Sequence, residues 1–190
     1  MTEGGTAQCG PTRLGPLEGA VLVEIARASV RERLGLGPAP TLPLDGPLAE
    51  PRGAFVSLFV DGELRGCIGT FTPAGSLAKT VSRMAACAAR EDPRFAPLCA
   101  DDLCDLEVRI SALGPRRPMR HLEELEIGRD GLLVELGWRR GVLLPRVAVE
   151  EGWNRLTFLE RTCLKAGLPP DTWRAPGTVV DLFSTEELGG

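Results

Sequence analysis

Residues 53–71, GAFVSLFVDGELRGCIGTF, decide the fold. Two apolar runs flank Asp61-Gly62, and Asp-Gly in that setting is the strongest short-range signal for a two-residue hairpin turn. With those two residues in the turn, Val60 faces Glu63, Leu58 faces Arg65 and Val56 faces Cys67. Likewise Phe59 faces Leu64, Ser57 faces Gly66 and Phe55 faces Ile68. Alternation then predicts a core face of Phe55, Phe59, Leu64 and Ile68. The opposite face carries Arg65 and Cys67 together, with Glu63 and three aliphatics. A one-residue slip changes the cross-strand partners but leaves Arg65 and Cys67 on one face.

Outward from the hairpin, the chain reads as separate helices and short strands. Residues 17–34 place Leu17, Val21, Ile25 and Ala28 on a helical stripe that Gly35, Gly37 and Pro38 end. Residues 36–52 are rich in Pro and Gly and are expected to form a long surface loop. Ser76 caps a second helix with Leu77, Val81, Met84 and Ala88 on one stripe, which Pro93 ends, pushing Asp92 out of helical geometry. Residues 105–113, DLEVRISAL, alternate cleanly, with Leu106, Val108, Ile110 and Ala112 inward. A second hairpin is expected near 132–136 and 141–145. Asn154 then caps a helix with Leu156, Leu159 and Cys163 inward, and TVVDLF makes a last strand. Hairpins and helices without regular strand–helix alternation predict an α+β fold with a largely antiparallel sheet, flanking helices and two lobes. Residues 1–13 read as a flexible tail and 14–190 as one domain, with room for a smaller lobe.

The bulk properties exclude several functions. A net charge of −4 argues against a whole-protein electrostatic grip on nucleic acid or anionic membrane. No apolar run approaches the roughly 18 residues that span a bilayer, and the start has no export signal. A cytoplasmic chain with reduced cysteines is therefore expected. The six cysteines (9, 67, 87, 99, 104 and 163) contain no CxxC pair, and His121 is the single histidine, so no zinc site is expected. No GxGxxG or P-loop pattern supports nucleotide binding, and no cofactor is expected. Oligomeric state is open.

Six stretches, in order, are similar to one family: LRGCIG (64–69), EDPRF (91–95), LEVRIS (106–111), IGRDGL (127–132), RGVLLP with VAVEEGW (140–153) and KAGLPPDTW (165–173). Together they resemble the AMMECR-type domain, the protein A component of the AmmeMemoRadiSam system, from about residue 17 to 186. The departures are Arg146 where a Gln is expected, the extra amino-terminal tail and the lack of a Tyr near the final strand. The resemblance implies a two-lobed α+β fold without an assigned activity, and partnership with a MEMO-type protein and a radical-SAM enzyme. It also points to the cysteine of the RGCIG stretch, here Cys67, as a reactive group in modification of a biomolecule.

The residues themselves leave two readings of Cys67 open. In a strand, the Arg65 guanidinium and the thiol share a face about 7 Å apart at the backbone, and a nearby cation favours the nucleophilic thiolate. Gly66 and Gly69 leave room beside the sulfur for a substrate or another backbone. Alternatively Cys67 fills a tight place in the sheet and Arg65 is solvated. Acid–base candidates are carboxylates: Glu91, Asp92 and Arg94 surround a proline at a helix exit, where Asp92 either serves catalysis or pairs internally with Arg94. Glu107 and Arg109 share a strand face and either line the same cleft or form its wet side. The candidate catalytic set is thus Cys67, Arg65 and Asp92, with Gly66, Gly69, Glu91, Arg94, Glu107 and Arg109 around it. Trp138, beside Arg139 at a hairpin tip, is either a partner contact or folded back on the sheet. It supports the competing view of a non-catalytic binding module.

Overall fold

Asp61 (φ 52°) and Gly62 (φ 76°) both take the left-handed backbone of a type I′ turn. The computed structural model containing this turn describes residues 11–73 and 75–189; the expected tail lies outside these up to residue 10. In chain order the elements are α1 (Pro16–Arg33), β1 (Ala54–Val60), β2 (Glu63–Thr70), α2 (Leu77–Arg90), β3 (Leu106–Leu113) and β4 (Arg117–Pro118). They continue with β5 (Gly131–Leu136), β6 (Arg139–Leu143), α3 (Pro145–Glu150), α4 (Arg155–Lys165), β7 (Val179–Phe183) and β8 (Thr185–Gly189). The fold is α+β with two antiparallel sheets. The chain divides into two units, residues 1–112 with 186–190, and residues 113–185.

The first unit holds a sheet in the order β2-β1-β3-β8. Helix α2 lies across β1 and β2, and α1 packs on α2. The Ser76 hydroxyl accepts the Lys79 N–H and starts α2, as its sequence predicts. Leu77, Val81, Met84 and Ala88 are all buried. In α1 the apolar residues run nearly round the helix, and the buried stripe is rotated from the expected one, sharing Ile25 with it. Leu22, Ile25, Ala26 and Val30 are buried, while Leu17 is 74% exposed.

The hairpin register differs from the expectation. Val60 pairs with Glu63 and Phe59 with Leu64, but Leu58 then pairs with Gly66, Ser57 with Cys67, Val56 with Ile68 and Phe55 with Gly69. A bulge therefore absorbs Arg65, and from Gly66 onward the faces of β2 exchange. The core face is Val56, Leu58 and Val60 with Gly66 and Ile68, against the helices. Phe55, Ser57, Phe59 and Cys67 stand on the other face. The expected alternation in β3 holds: Leu106, Val108, Ile110 and Ala112 are buried in this same core.

In the second unit the sheet order is β4-β7-β5-β6, with α4 on β5 and β6. Asn154 caps α4 by accepting the Thr157 N–H. Phe158, Leu159 and Cys163 are buried with Leu132, Val134, Val180 and Leu182, while Leu156 is 37% exposed rather than inward. Strand β6 begins at Arg139, so the second hairpin turns on Gly137-Trp138 alone. Three elements were not expected: the two-residue β4, α3, which opens on Pro145, and the acidic β8. No helix among the described residues is long and apolar enough to cross a membrane.

Candidate functional site

Strand β2 is an outer strand of its sheet, and its backbone at Cys67 is held by side chains instead of a further strand. The Cys67 N–H donates to Asp92 Oδ2 at 2.9 Å, and Arg94 Nη2 donates to the Cys67 carbonyl at 3.1 Å. Both polar groups of Cys67 thus point away from β1, which makes Cys67–Ser57 a non-hydrogen-bonded pair, the type that brings side chains close. Accordingly the Ser57 hydroxyl donates to the Cys67 sulfur at 3.2 Å. Cys67 is half-buried and Ser57 is buried.

The Asp92–Arg94 pair is built at the exit of α2, where Pro93 prevents another helical turn. Asp92 Oδ1 accepts the Arg94 Nε at 2.9 Å and the Arg94 N–H at 3.2 Å, and Asp92 Oδ2 accepts Arg94 Nη2 at 2.6 Å. The Asp92 side chain is 2% exposed, so these donors stand in for its lost water. Arg94, then the Cys67 and Arg94 N–H groups, pull the Asp92 pKa down to about 2 against the opposing effect of burial. Arg94 in turn is held above its ordinary value, chiefly by Asp92, with the Cys67 thiol contributing less.

Arg65, at the bulge, turns elsewhere. Its Nη1 donates to Asp102 Oδ1 at 3.0 Å. Asp102 also accepts the Cys99 N–H, which together with Arg65 lowers its pKa. The guanidinium that reaches Cys67 is therefore that of Arg94, and the i, i+2 geometry expected for Arg65 is interrupted by the extra residue. Glu91 is exposed and pairs with Arg33 at 3.3 Å. A Cβ on Gly66 would lie 2.1 Å from the Ala88 carbonyl oxygen, so the backbone of α2 takes that space, on the face opposite the thiol. At Gly69 the neighbour is the Phe55 ring. Glu107 and Arg109 do pair, through Arg109 Nε at 2.6 Å, on the thiol's face of the sheet.

The other described cysteines sit in different settings. Burial pushes the Cys163 thiol up, and burial followed by Glu91 does the same at Cys87. Cys99 and Cys104 are exposed. Among the described residues no group of three or more His, Cys, Asp and Glu is placed to hold a metal ion. Sequence reasoning missed Ser57; its signal was a lone hydroxyl inside the apolar run AFVSLFV.

This arrangement is carried by a chain whose relatives are now identifiable. A family model described as AMMECR1 matches residues 23–188. The chain belongs to the AMMECR1 family. A relative from Methanothermobacter thermautotrophicus is 42% identical, covering 89% of this chain and 92% of the relative. One from Thermofilum pendens is 43% identical over 92% and 90% of the two chains. The crystal structure of an uncharacterized protein from Pyrococcus horikoshii superposes with a TM-score of 0.85 at 38% identity, covering 92% of each chain. The AMMECR1 fold thus extends over nearly all of this chain, including every residue of the Cys67 site.

Proposed function

We propose that this AMMECR1-family protein is a cysteine-dependent enzyme, or the thiol-bearing subunit of one, that modifies a biomolecule with Cys67 as its nucleophile. The observation that carries this reading is the convergence on half-buried Cys67 of a hydroxyl that donates to its sulfur, Ser57, and a guanidinium that donates to its carbonyl, Arg94, anchored by a buried carboxylate. A cation and a hydrogen-bond donor beside a sulfur favour its anionic, attacking form. Asp92 acts here as a holder: with its pKa near 2 it stays ionised at neutral pH and fixes both Arg94 and the Cys67 backbone. A MEMO-type protein and a radical-SAM enzyme are the partners proposed for the modification, on the strength of the family resemblance.

The test is site-resolved alkylation with iodoacetamide at neutral pH, read by peptide mass spectrometry. Cys67 is expected to react faster than exposed Cys99 and Cys104. Arg94→Ala should slow Cys67 several-fold, with Arg94→Lys recovering part of the rate, whereas Arg65→Ala should leave it nearly unchanged. A Cys67 no faster than Cys99, or one slowed equally by both alanines, would overturn the assignment.

A second reading, a binding module without chemistry, is favoured by Trp138. This side chain is 89% exposed at the β5–β6 turn, with the Arg139 guanidinium 5.4 Å from its ring centroid. Exposed aromatics beside arginine are typical anchors of protein contacts. Complementation of a deletion strain separates the two: the enzyme reading expects Cys67→Ser to fail and Trp138→Ala to succeed. The reverse outcome selects the module.

A further inference from the structure

Across the sheet, Cys67 pairs with Ser57 and Ser57 pairs with Arg109, so a thiol, a hydroxyl and a guanidinium form one rank on β2, β1 and β3. A narrow pair followed by a wide pair puts the Cα atoms of Cys67 and Arg109 about 10 Å apart. The guanidinium does not stay over its own strand. Its carbon lies 4.5 Å from the centroid of the Phe59 ring, on β1 one same-face position nearer the hairpin turn than Ser57, so the side chain leans from β3 over β1 and diagonally off the rank of the thiol. Its one hydrogen bond to a described residue is the Nε contact with Glu107; among the described residues neither terminal nitrogen has a partner. The side chain is 41% exposed.

An arginine clamped at Nε, stacked on a ring and left with its two-pronged end open is preorganised to receive a planar pair of oxygens. Clamping also lowers the entropy lost when a ligand binds. Glu107 offsets part of the charge, so the geometry of the fork, more than net field, selects what binds. On the far side of the sulfur, Arg94 spends Nε and Nη2 on Asp92 and the Cys67 carbonyl, so the open fork belongs to Arg109.

We propose that Arg109 is the anchor for an oxyanion, a carboxylate or a phosphate, carried by the molecule that the Cys67 thiol attacks. This rests on the reading of Cys67 as a nucleophile and adds the substrate's chemical class: an electrophile with an anionic group several ångströms away.

The test compares two aryl disulfides on the full chain: dithiobis(nitrobenzoate), with a carboxylate on each ring, and neutral dithiodipyridine. In both, the Cys67 thiolate attacks one sulfur, the S–S bond breaks, a mixed disulfide forms and an arylthiolate leaves with the electron pair. The readout is the rate ratio of anionic to neutral reagent at Cys67, normalised to Cys99 in the same sample. Arg109→Gln is expected to lower that ratio about fivefold, an effect of about 1 kcal/mol on the attack of the anionic reagent alone. An unchanged ratio overturns the anchor. Protection by inorganic phosphate but not acetate assigns a phosphate, and the converse a carboxylate. A Cys67 inert to both reagents defeats the nucleophile reading instead. The anchor is then decided by amide NMR: saturable shifts at Arg109 with phosphate or acetate, abolished by Arg109→Gln, retain it, and their absence removes it.

Discussion

Asp92→Ala is expected to destabilise the first unit by about 3 kcal/mol, read as a shift in the urea midpoint at constant slope. The carboxylate accepts four hydrogen bonds, one from Cys67 and three from Arg94. Alanine leaves the Cys67 N–H without a partner at the sheet edge and releases the guanidinium that bonds the Cys67 carbonyl. This loss is at the lower end for a broken buried ion pair, because the Arg94 side chain is 47% exposed and regains water. The same group sets an acid limb. Its pKa falls from an ordinary value of about 3.9 to about 2 on folding, so the unfolded chain binds the proton more tightly than the native state. The resulting stabilisation, roughly 2 to 3 kcal/mol, is complete above about pH 4 and is lost as pH drops through about 2. Asp92→Asn should flatten that limb. An Asp92→Asn profile superimposable on the parent between pH 4 and 2 would refute the assignment.

Gly66→Ala is expected to be at least as damaging, by about 3 kcal/mol or more. The added methyl group would sit 2.1 Å from the Ala88 carbonyl oxygen, which is backbone in the middle of a helix turn and cannot rotate away. Relief requires α2 to lift from β2, opening a core that includes Val81, Met84 and Ile68. Gly69→Ala provides the contrast. There the added methyl meets the Phe55 ring at 2.2 Å, and a partly exposed side chain can swing aside. Urea melts of the two variants should therefore separate clearly, with Gly66→Ala much the weaker. Ala88→Gly should not rescue it, because the clash is with an oxygen that glycine keeps. Equal midpoints for the two variants would show that α2 approaches β2 less closely.

Local chemistry made much of this fold readable. Asp61-Gly62 demanded a turn with both residues left-handed, Ser76 and Asn154 offered caps, and the alternation in β3 left one register open to burial. What escaped was decided by tertiary contacts. A single inserted residue at Arg65 leaves no mark in composition, yet it exchanges the faces of everything downstream in β2. Helix α1 is apolar on more than one side, so its periodicity could not choose between Val21 and Leu22. Residues 185–189, TEELG, have little strand propensity and pair as β8 because β3 presents an edge. The site followed the same division. EDPRF was legible as a stiffened turn, but its service to Cys67, 25 residues earlier for Asp92, depends on the bulged register.

The Asp92–Arg94 clamp has a bearing beyond the sulfur it orients. Unclaimed amides and carbonyls on an outermost strand are a template on which a second molecule can grow, the first step toward fibrous stacking. At Cys67 that template is already occupied, and by groups of opposite charge that an incoming chain would have to separate. The residues that hold the Cys67 backbone thereby also keep neighbouring copies of the protein from zipping onto this strand.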